Sequence, residues 1–183
     1  MRIIIDLQSA QGISRNRGIA RYSLELSKAL IRQASMHEFY LLLNANCSNT
    51  IESVRNIFKN LIPQKQIKVF ETPKKISGHD HKNYWRIQAS EKIREHFLDS
   101  LAPDIVYISS PFEGWIDDAP ISIGHLNHNY LTVSTLYDLI PFIYPDFYIK
   151  NSGAPHFFVK KMQFLKQLDF LLTISDSTSR EAI

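Results

Sequence analysis

The stretch Leu131–Phe147, LTVSTLYDLIPFIYPDF, contains the pattern that decides the fold class. Its first six residues form an apolar, partly β-branched run, which is typical of a buried strand. The run ends in Tyr137-Asp138, and a loop punctuated by two prolines follows at once. In open α/β sheets, ligands bind beyond the carboxyl ends of the strands. Tyr137 and Asp138 are therefore candidate site residues, although a purely structural role, in which Asp138 caps the next turn, stays open.

Outward from this stretch, apolar runs alternate with helical periodicity along the chain. The runs that predict strands are residues 2–6, 38–43, 67–70, 105–108, 131–136 and 170–174. The segments that predict helices begin near Arg17, Ile51, Trp85 and His156, and a capping box at Thr178 predicts a last helix. Strands that alternate with helices of this length indicate βαβ units. The sequence predicts an α/β fold with a Rossmann-like, doubly wound and mostly parallel sheet, in which residues 3–5, 105–108 and 133–136 are central and 170–174 are also buried.

Composition limits the classes of protein that fit the chain. Its 183 residues are enough for one domain with a sizeable core, and 44% of them are hydrophobic and 21% charged. A net charge of +3 does not indicate a nucleic-acid partner, and it is compatible with phosphate ligands or an anionic membrane surface. Cys47 is the single cysteine, which excludes a disulfide framework and favours a cytoplasmic location. No apolar run is long enough to span a bilayer.

The loop between the first strand and the first helix is the second candidate site. Gly12 and Gly18 bracket it, and the helix is predicted to open at about Gly18. A helix N-terminus offers unpaired N–H groups to a phosphate or a sugar hydroxyl, and Arg15 and Arg17 add positive charge. The G-x-G-x-x-G dinucleotide fingerprint is absent. The alternative is that Gly18 is needed only for the turn.

Carboxylates in the second half of the chain give the third candidate. Glu113 follows the strand at 105–108, so it is predicted to face the same cleft as Asp138. The adjacent pair Asp117 and Asp118 is predicted to be a surface turn, because neighbouring side chains tend to point apart.

Other motifs that would indicate a metal site, a catalytic nucleophile or a phosphate-binding loop are weak or missing. The segment 79–81, His-Asp-His, has a metal-like composition, but no further ligand lies near it in sequence, and we predict no metal and no cofactor. The sequence contains neither a G-x-S-x-G elbow nor a Walker A motif, so no catalytic residue is assigned.

Four segments, taken together and in order, resemble one family. They are MRIIIDLQSAQ with RNRGIARYSLELSKAL, KIREHFLDSLAPDIVYISSPFEG, LYDLIPFIYP and DFLLTISDSTSREAI. They resemble the retaining, nucleotide-sugar-dependent glycosyltransferases of family four, which have the GT-B fold. The likeness is greatest to the mannosyl- or rhamnosyl-type enzymes that build bacterial O-antigen, capsule and other surface polysaccharides.

The resemblance implies a two-domain enzyme, of which residues 1–183 match the N-terminal, acceptor-side domain. The family's C-terminal domain binds the nucleotide-sugar and carries a Glu-x₇-Glu motif, which this sequence lacks. The implied partners are a nucleotide-sugar donor and a glycan or lipid-linked acceptor. The chain alone is then expected to be inactive and cytoplasmic. Peripheral association with the inner face of the membrane, and a dimer through the C-terminal edge, stay open.

The resemblance also implies roles for the candidate residues. The implied substrate-binding residues are Arg17, Gly18, Arg21, Glu113, Tyr137 and Asp138. Gly18 would lie near donor phosphates or the acceptor, with charge supplied by Arg17 or Arg21. Glu113 and Asp138 would bind sugar hydroxyls.

Two positions depart from the family pattern. Ala20 stands where many relatives have glycine, and Tyr137, expected to face the donor sugar, stands where many have histidine. A tyrosine can hydrogen-bond a sugar but does not titrate near neutral pH.

Two other classes of function stay open: a Rossmann-type oxidoreductase or epimerase acting on nucleotide-linked substrates, and a non-catalytic scaffolding domain.

Overall fold

The computed structural model describes residues 1–150 and 154–182, and within these ranges six parallel strands form one sheet. The strands are β1 (Arg2–Asp6), β2 (Glu38–Asn44), β3 (Ile67–Phe70), β4 (Ile105–Ile108), β5 (Leu131–Leu136) and β6 (Phe170–Thr173). Their order is β3-β2-β1-β4-β5-β6, and all five neighbouring pairs are parallel. The chain order therefore reverses next to β1, as in a doubly wound, Rossmann-like fold, and the predicted fold class is confirmed.

Helices follow the strands on both faces of the sheet. They are α1 (Gly18–Gln33), α2 (Ser48–Phe58), α3 (Tyr84–Ser100), α4 (Ile140–Ile143), α5 (Pro145–Tyr148), α6 (Ala154–Leu165) and α7 (Asp176–Glu181). The last helix begins three residues earlier than a cap at Thr178 predicts, because Ser175 is its N-cap and accepts a hydrogen bond from the Thr178 amide. No helix within the described ranges is both long and apolar enough to cross a membrane.

The core consists of two apolar layers, one on each face of the sheet. Side chains of a strand point alternately to the two faces. Ile5 of β1 therefore packs in the layer that α1 and α2 cover, whereas Ile4 packs in the layer under α3 and α6. Ile4, Ile5 and Ile108 are at most 1% exposed. The prediction that β1 and β4 are central, buried strands is confirmed.

The prediction of a buried strand at 170–174 is wrong. Strand β6 lies at the edge of the described sheet, with β5 as its neighbour. Phe170 is 57% exposed and Leu172 is 46% exposed. An apolar run predicts a strand equally well at the centre and at the edge of a sheet, so the sequence alone did not separate the two positions.

The buried face of α3 also differs from its predicted apolar face. The sequence places Ile93, Phe97 and Leu101 on one apolar face of this helix, but Ile93 is 41% exposed. The buried residues of this helix are instead Ser90, Glu91, Arg94, Glu95 and Leu98. Arg94 is fully buried, and its Nε donates a hydrogen bond of 2.7 Å to Asp6 at the end of β1. Paired charges therefore occupy the place where a purely apolar stripe was predicted.

Candidate functional site

A cleft of about 250 Å³ opens at the carboxyl edge of the sheet, where the ends of β1, β4 and β5 lie side by side. Its walls come from the loop before α1, the loop after β4, the segment after β5 and the first turn of α6. Four of the six predicted site residues line it, namely Arg17, Glu113, Tyr137 and Asp138. Residues from three loops that are far apart in sequence thus meet in one place.

The other two predicted residues lie beside the cleft. Gly18 is the exposed first residue of α1 and sits between the lining residues Arg17 and Ile19. A Cβ atom built on Gly18 would meet nothing within 4 Å, and its φ is not in the left-handed region. Neither packing nor the turn therefore requires a glycine there, which argues against the structural alternative. Arg21 is exposed one turn further along α1 and is not part of the lining.

Glu113 is an almost fully buried carboxylic acid that lines the cleft. Its side chain accepts hydrogen bonds from the hydroxyl groups of Ser110 and Ser14, at 3.0 and 3.1 Å. Burial, aided by the nearby charge of Asp117, raises the pKa of Glu113 to about 7. The cleft therefore contains a group that can donate a hydrogen bond when protonated and accept one when ionised.

The hydroxyl group of Tyr137 is hydrogen-bonded to other groups of the protein. The oxygen lies 2.9 Å from the Ser23 hydroxyl and 3.3 Å from the carbonyl oxygens of Ile19 and Ser109. The ring packs edge-on against Tyr22, with centroids 5.6 Å apart. Burial also raises the pKa of Tyr137. Tyr137 is thus anchored under α1, and its ring is the part best placed to meet a ligand.

Asp138 combines the two roles that the sequence left open. Its Oδ1 accepts a hydrogen bond of 3.1 Å from the Ile140 amide, so the side chain does cap the turn that follows β5. The residue is also exposed and lines the cleft. A capping bond to one oxygen leaves the second oxygen available to a ligand.

The acidic pair after Trp115 has a structural function that sequence reasoning missed. Asp117 and Asp118 are half-buried, and their side chains point to different partners rather than forming a simple surface turn. Asp117 accepts from the amides of Ile13 and Gly114, both at 2.9 Å. Asp118 accepts from the amides of residues 75 and 76 at 2.9 and 2.8 Å. The pair therefore ties the loops before α1 and before α3 to the wall of the cleft.

A second, larger cavity of about 470 Å³ was not predicted. We call it the α3–α6 cavity, because these two helices form most of it together with residues 76–80 and 114–119. Its lining residues are Ile76, Gly78, Asp80, Tyr84, Ile87, Glu91, Gly114, Ala119, His156, Phe157, Lys160 and Lys161. The only sequence signal for it was the mixed, partly basic face of the helix near 160.

Lys161 is the most unusual side chain in this cavity. It is 3% exposed, and its Nζ donates a hydrogen bond of 2.8 Å to the carbonyl oxygen of Ile121. Burial lowers the pKa of Lys161 to about 7. Its neighbour Lys160 is instead paired with the buried Glu91, with Nζ–Oε distances of 2.6 and 2.8 Å.

We searched the described residues for a metal centre as well. Within residues 1–150 and 154–182, no group of three or more His, Cys, Asp and Glu side chains could hold a metal ion. In the segment 79–81, the side chain of His81 lies outside the part of the chain that the structure describes.

Comparisons with known proteins point to one kind of enzyme. The chain is 30% identical to a serotype-specific mannosyltransferase WbdA of Escherichia coli, over 184 aligned positions that cover all of this chain and 22% of the relative. Two further E. coli proteins of the same name are each 28% identical over 159 positions, which cover 86% of this chain and 20% of each relative. No family model and no solved structure matches the chain.

These similarities support the resemblance to glycosyltransferases that the sequence motifs suggested. The chain spans only about a fifth of the length of the curated relatives that it matches. The similarity thus concerns one part of much longer proteins that are named mannosyltransferases.

Proposed function

We propose that the chain is the acceptor-side part of a retaining, family-four glycosyltransferase that transfers mannose from a nucleotide-sugar to a bacterial surface glycan. The observation that carries the proposal is the cleft at the carboxyl ends of β1, β4 and β5, in a chain that is similar over its whole length to mannosyltransferases. A cleft at this position is where a doubly wound sheet binds its ligands.

The composition of the cleft suits a sugar and a nearby phosphate. Trp115, Phe112 and Phe142 provide apolar faces on which the C–H side of a sugar ring can lie. The Glu113 and Asp138 carboxyl groups can bind hydroxyls. Arg17 is exposed at the start of α1, whose first turn has no side-chain cap, so charge and backbone N–H groups are both available to a donor phosphate.

The role of this chain in the reaction is then positioning. Transfer between two sugars depends on holding the reacting atoms in contact and on stabilising the phosphate that leaves. We assign no catalytic residue to this chain, and we propose that the nucleotide-sugar is held mainly by a second domain of the GT-B type. The reaction would take place in the cytoplasm, at the inner face of the membrane where its lipid-linked acceptor is anchored.

The test is the substitution Asp138→Ala in the native gene product that contains this chain. We expect mannose transfer to fall about tenfold or more, since losing a hydrogen bond to a charged group costs about 1.5–3 kcal/mol. The free energy of unfolding should fall by only about 1 kcal/mol, the usual cost of a lost cap, because Asp138 is exposed and its one bond within the protein is to the Ile140 amide among the described residues. Asp146→Ala is the matched control, because Asp146 is equally exposed on the neighbouring α5 and does not line the cleft.

Three results would contradict the proposal. Unchanged transfer with a lowered melting temperature would leave Asp138 with a capping role only. Hydride transfer or epimerisation of a nucleotide-sugar, without glycosidic bond formation, would favour the second enzyme class. Absence of any sugar or nucleotide-sugar binding would favour a scaffolding domain.

A further inference from the structure

The α3–α6 cavity adjoins the cleft. Gly114 and Phe157 line both spaces, so the cleft and the cavity meet at these two residues. At about 470 Å³ the cavity is the larger of the two, and its size lies within the range of about 300–1,000 Å³ that is common for ligand sites. Nothing in the proposed function described above uses it.

The cavity combines aromatic walls with a few polar groups. Phe157 forms part of one wall, and the rings of Tyr84 and His156 lie near each other at its rim, with centroids 5.9 Å apart. Tyr84 is 48% exposed, so its ring is accessible. Aromatic faces of this kind suit the C–H side of a sugar ring.

The charges around the cavity nearly balance. Lys160 forms an ion pair with Glu91, and the lining contains one further carboxylate, Asp80, and one further amine, Lys161. Burial also disfavours the charged form of Lys161, so the cavity has no large excess of positive charge. This balance favours an uncharged ligand over a phosphate or a carboxylate.

Lys161 supplies a hydrogen-bond donor within this apolar setting. Ile121 is its one hydrogen-bond acceptor among the residues that the structure describes. Even a neutral amine has two N–H groups, so at least one of them remains for a ligand hydroxyl. A buried donor of this kind, at the wall of a mostly apolar cavity, is how a site fixes the orientation of a polar ligand.

We infer that the α3–α6 cavity binds an uncharged sugar residue of the acceptor glycan, next to the residue that occupies the cleft. The inference rests on the proposed function, because it states how much of the proposed acceptor glycan the protein binds. It predicts that the protein recognises an oligosaccharide rather than a single sugar.

The experiment measures the binding of methyl α-mannoside, α-mannobiose and α-mannotriose to the ¹⁵N-labelled chain by nuclear magnetic resonance. We expect affinity to rise about tenfold from the monosaccharide to the longer probes, equivalent to about 1.4 kcal/mol. The longer probes should also shift the amide signals of Gly78 and Ala119, which line the cavity and not the cleft. Tyr84→Ala and His156→Ala should remove this gain and leave binding of the monosaccharide unchanged.

Trp85→Ala is the matched control. Trp85 is the next aromatic residue of α3, is 63% exposed and does not line the cavity, so this variant should keep the gain with length. Lys161→Met tests the buried donor, with its fold checked by circular dichroism. This variant should weaken binding of the longer probes and leave binding of methyl α-mannoside unchanged.

Other outcomes would overturn the inference. If the monosaccharide binds and Asp138→Ala weakens it, but the gain with length survives Tyr84→Ala, the cavity is not a subsite and the proposed function stands. If inorganic phosphate shifts the Gly78 and Ala119 signals and no mannoside does, the cavity is an anion site. If no mannoside binds at all, both the inference and the proposed function fail.

Discussion

Glu113 and Lys161 are buried ionisable side chains that lie close to Gly114, one lining the cleft and the other the α3–α6 cavity. Burial pushes both pKa values to about 7, from above for the lysine and from below for the glutamate. The charge of each group also favours ionisation of the other, while Asp117 opposes ionisation of Glu113. Small changes in pH or in ligand charge near neutrality therefore alter the protonation of both groups.

This arrangement predicts an unusual dependence of stability on pH. The folded-state pKa of Glu113 is raised. Its contribution to the free energy of unfolding is therefore fully present below about pH 4.5 and is lost as the pH rises to about 7. The folded-state pKa of Lys161 is lowered, so its contribution is absent near pH 7 and grows as pH rises towards 10.5. We expect these two groups to give a minimum of stability near pH 7, each with an effect on the order of 3–5 kcal/mol.

Urea unfolding between pH 4 and 10 measures these contributions. Glu113→Gln should flatten the acidic side of the profile, and Lys161→Met should flatten the alkaline side. If each variant gives a profile that runs parallel to that of the wild type, the two groups do not titrate as described.

At the scale of the element, α3 is held to the sheet by charges as well as by apolar contacts. The Arg94 guanidinium is fully buried, and its Nε and Nη2 both lie 2.7 Å from Asp6 Oδ2. Its Nη1 donates to the carbonyl oxygen of Ser122 at 3.0 Å. Such a pair connects α3 to the end of β1, and it leaves a costly unpaired charge if one partner is removed.

We therefore expect Arg94→Met to lower the free energy of unfolding by about 3–5 kcal/mol, the usual effect of breaking a buried ion pair. The double substitution Asp6→Asn with Arg94→Met should recover part of this loss, because the uncompensated carboxylate is then gone. Denaturant unfolding of the two single variants and the double variant gives the coupling energy. Lys92→Met is the control, since Lys92 lies on the exposed face of the same helix. Equal losses for Arg94→Met and the control would show that the pair contributes little.

The same helix shows why some features could be predicted from sequence and others could not. The central strands were predicted correctly, because an apolar run such as residues 2–6 indicates burial without knowledge of its partner. The buried face of α3 was not predicted correctly, because the partner of Arg94 is Asp6, which lies 88 residues away in the sequence. The α3–α6 cavity was missed for a related reason: four separate segments form it, and none has a distinctive motif.

At the scale of the whole molecule, the topology accounts for the part of the site that was predicted. Parallel strands deliver their carboxyl ends to one edge, so Glu113 and Asp138 line one cleft although 25 residues separate them. The details of each side chain were beyond the sequence. The hydroxyl of Tyr137, expected to face a sugar, instead contacts Ser23 in α1.

Under the proposed function the molecule as a whole forms one wall of a transfer site, and this leads to the last prediction. The relatives are nearly five times longer than the part that this chain matches, since the aligned region covers 20–22% of them. Retaining transfer, as proposed, needs the donor held against the acceptor in a fixed geometry, and a misplacement of about 1 Å can cost about a hundredfold in rate. We expect the 183-residue chain alone to bind mannosides without forming a glycosidic bond.

Incubation of the chain with GDP-mannose and α-mannobiose, followed by mass spectrometry, tests this expectation, with the native gene product as the positive control. A longer oligosaccharide should form only in the reaction that contains the native gene product. Formation of mannotriose by the isolated chain at a comparable rate would place the complete active site on these residues.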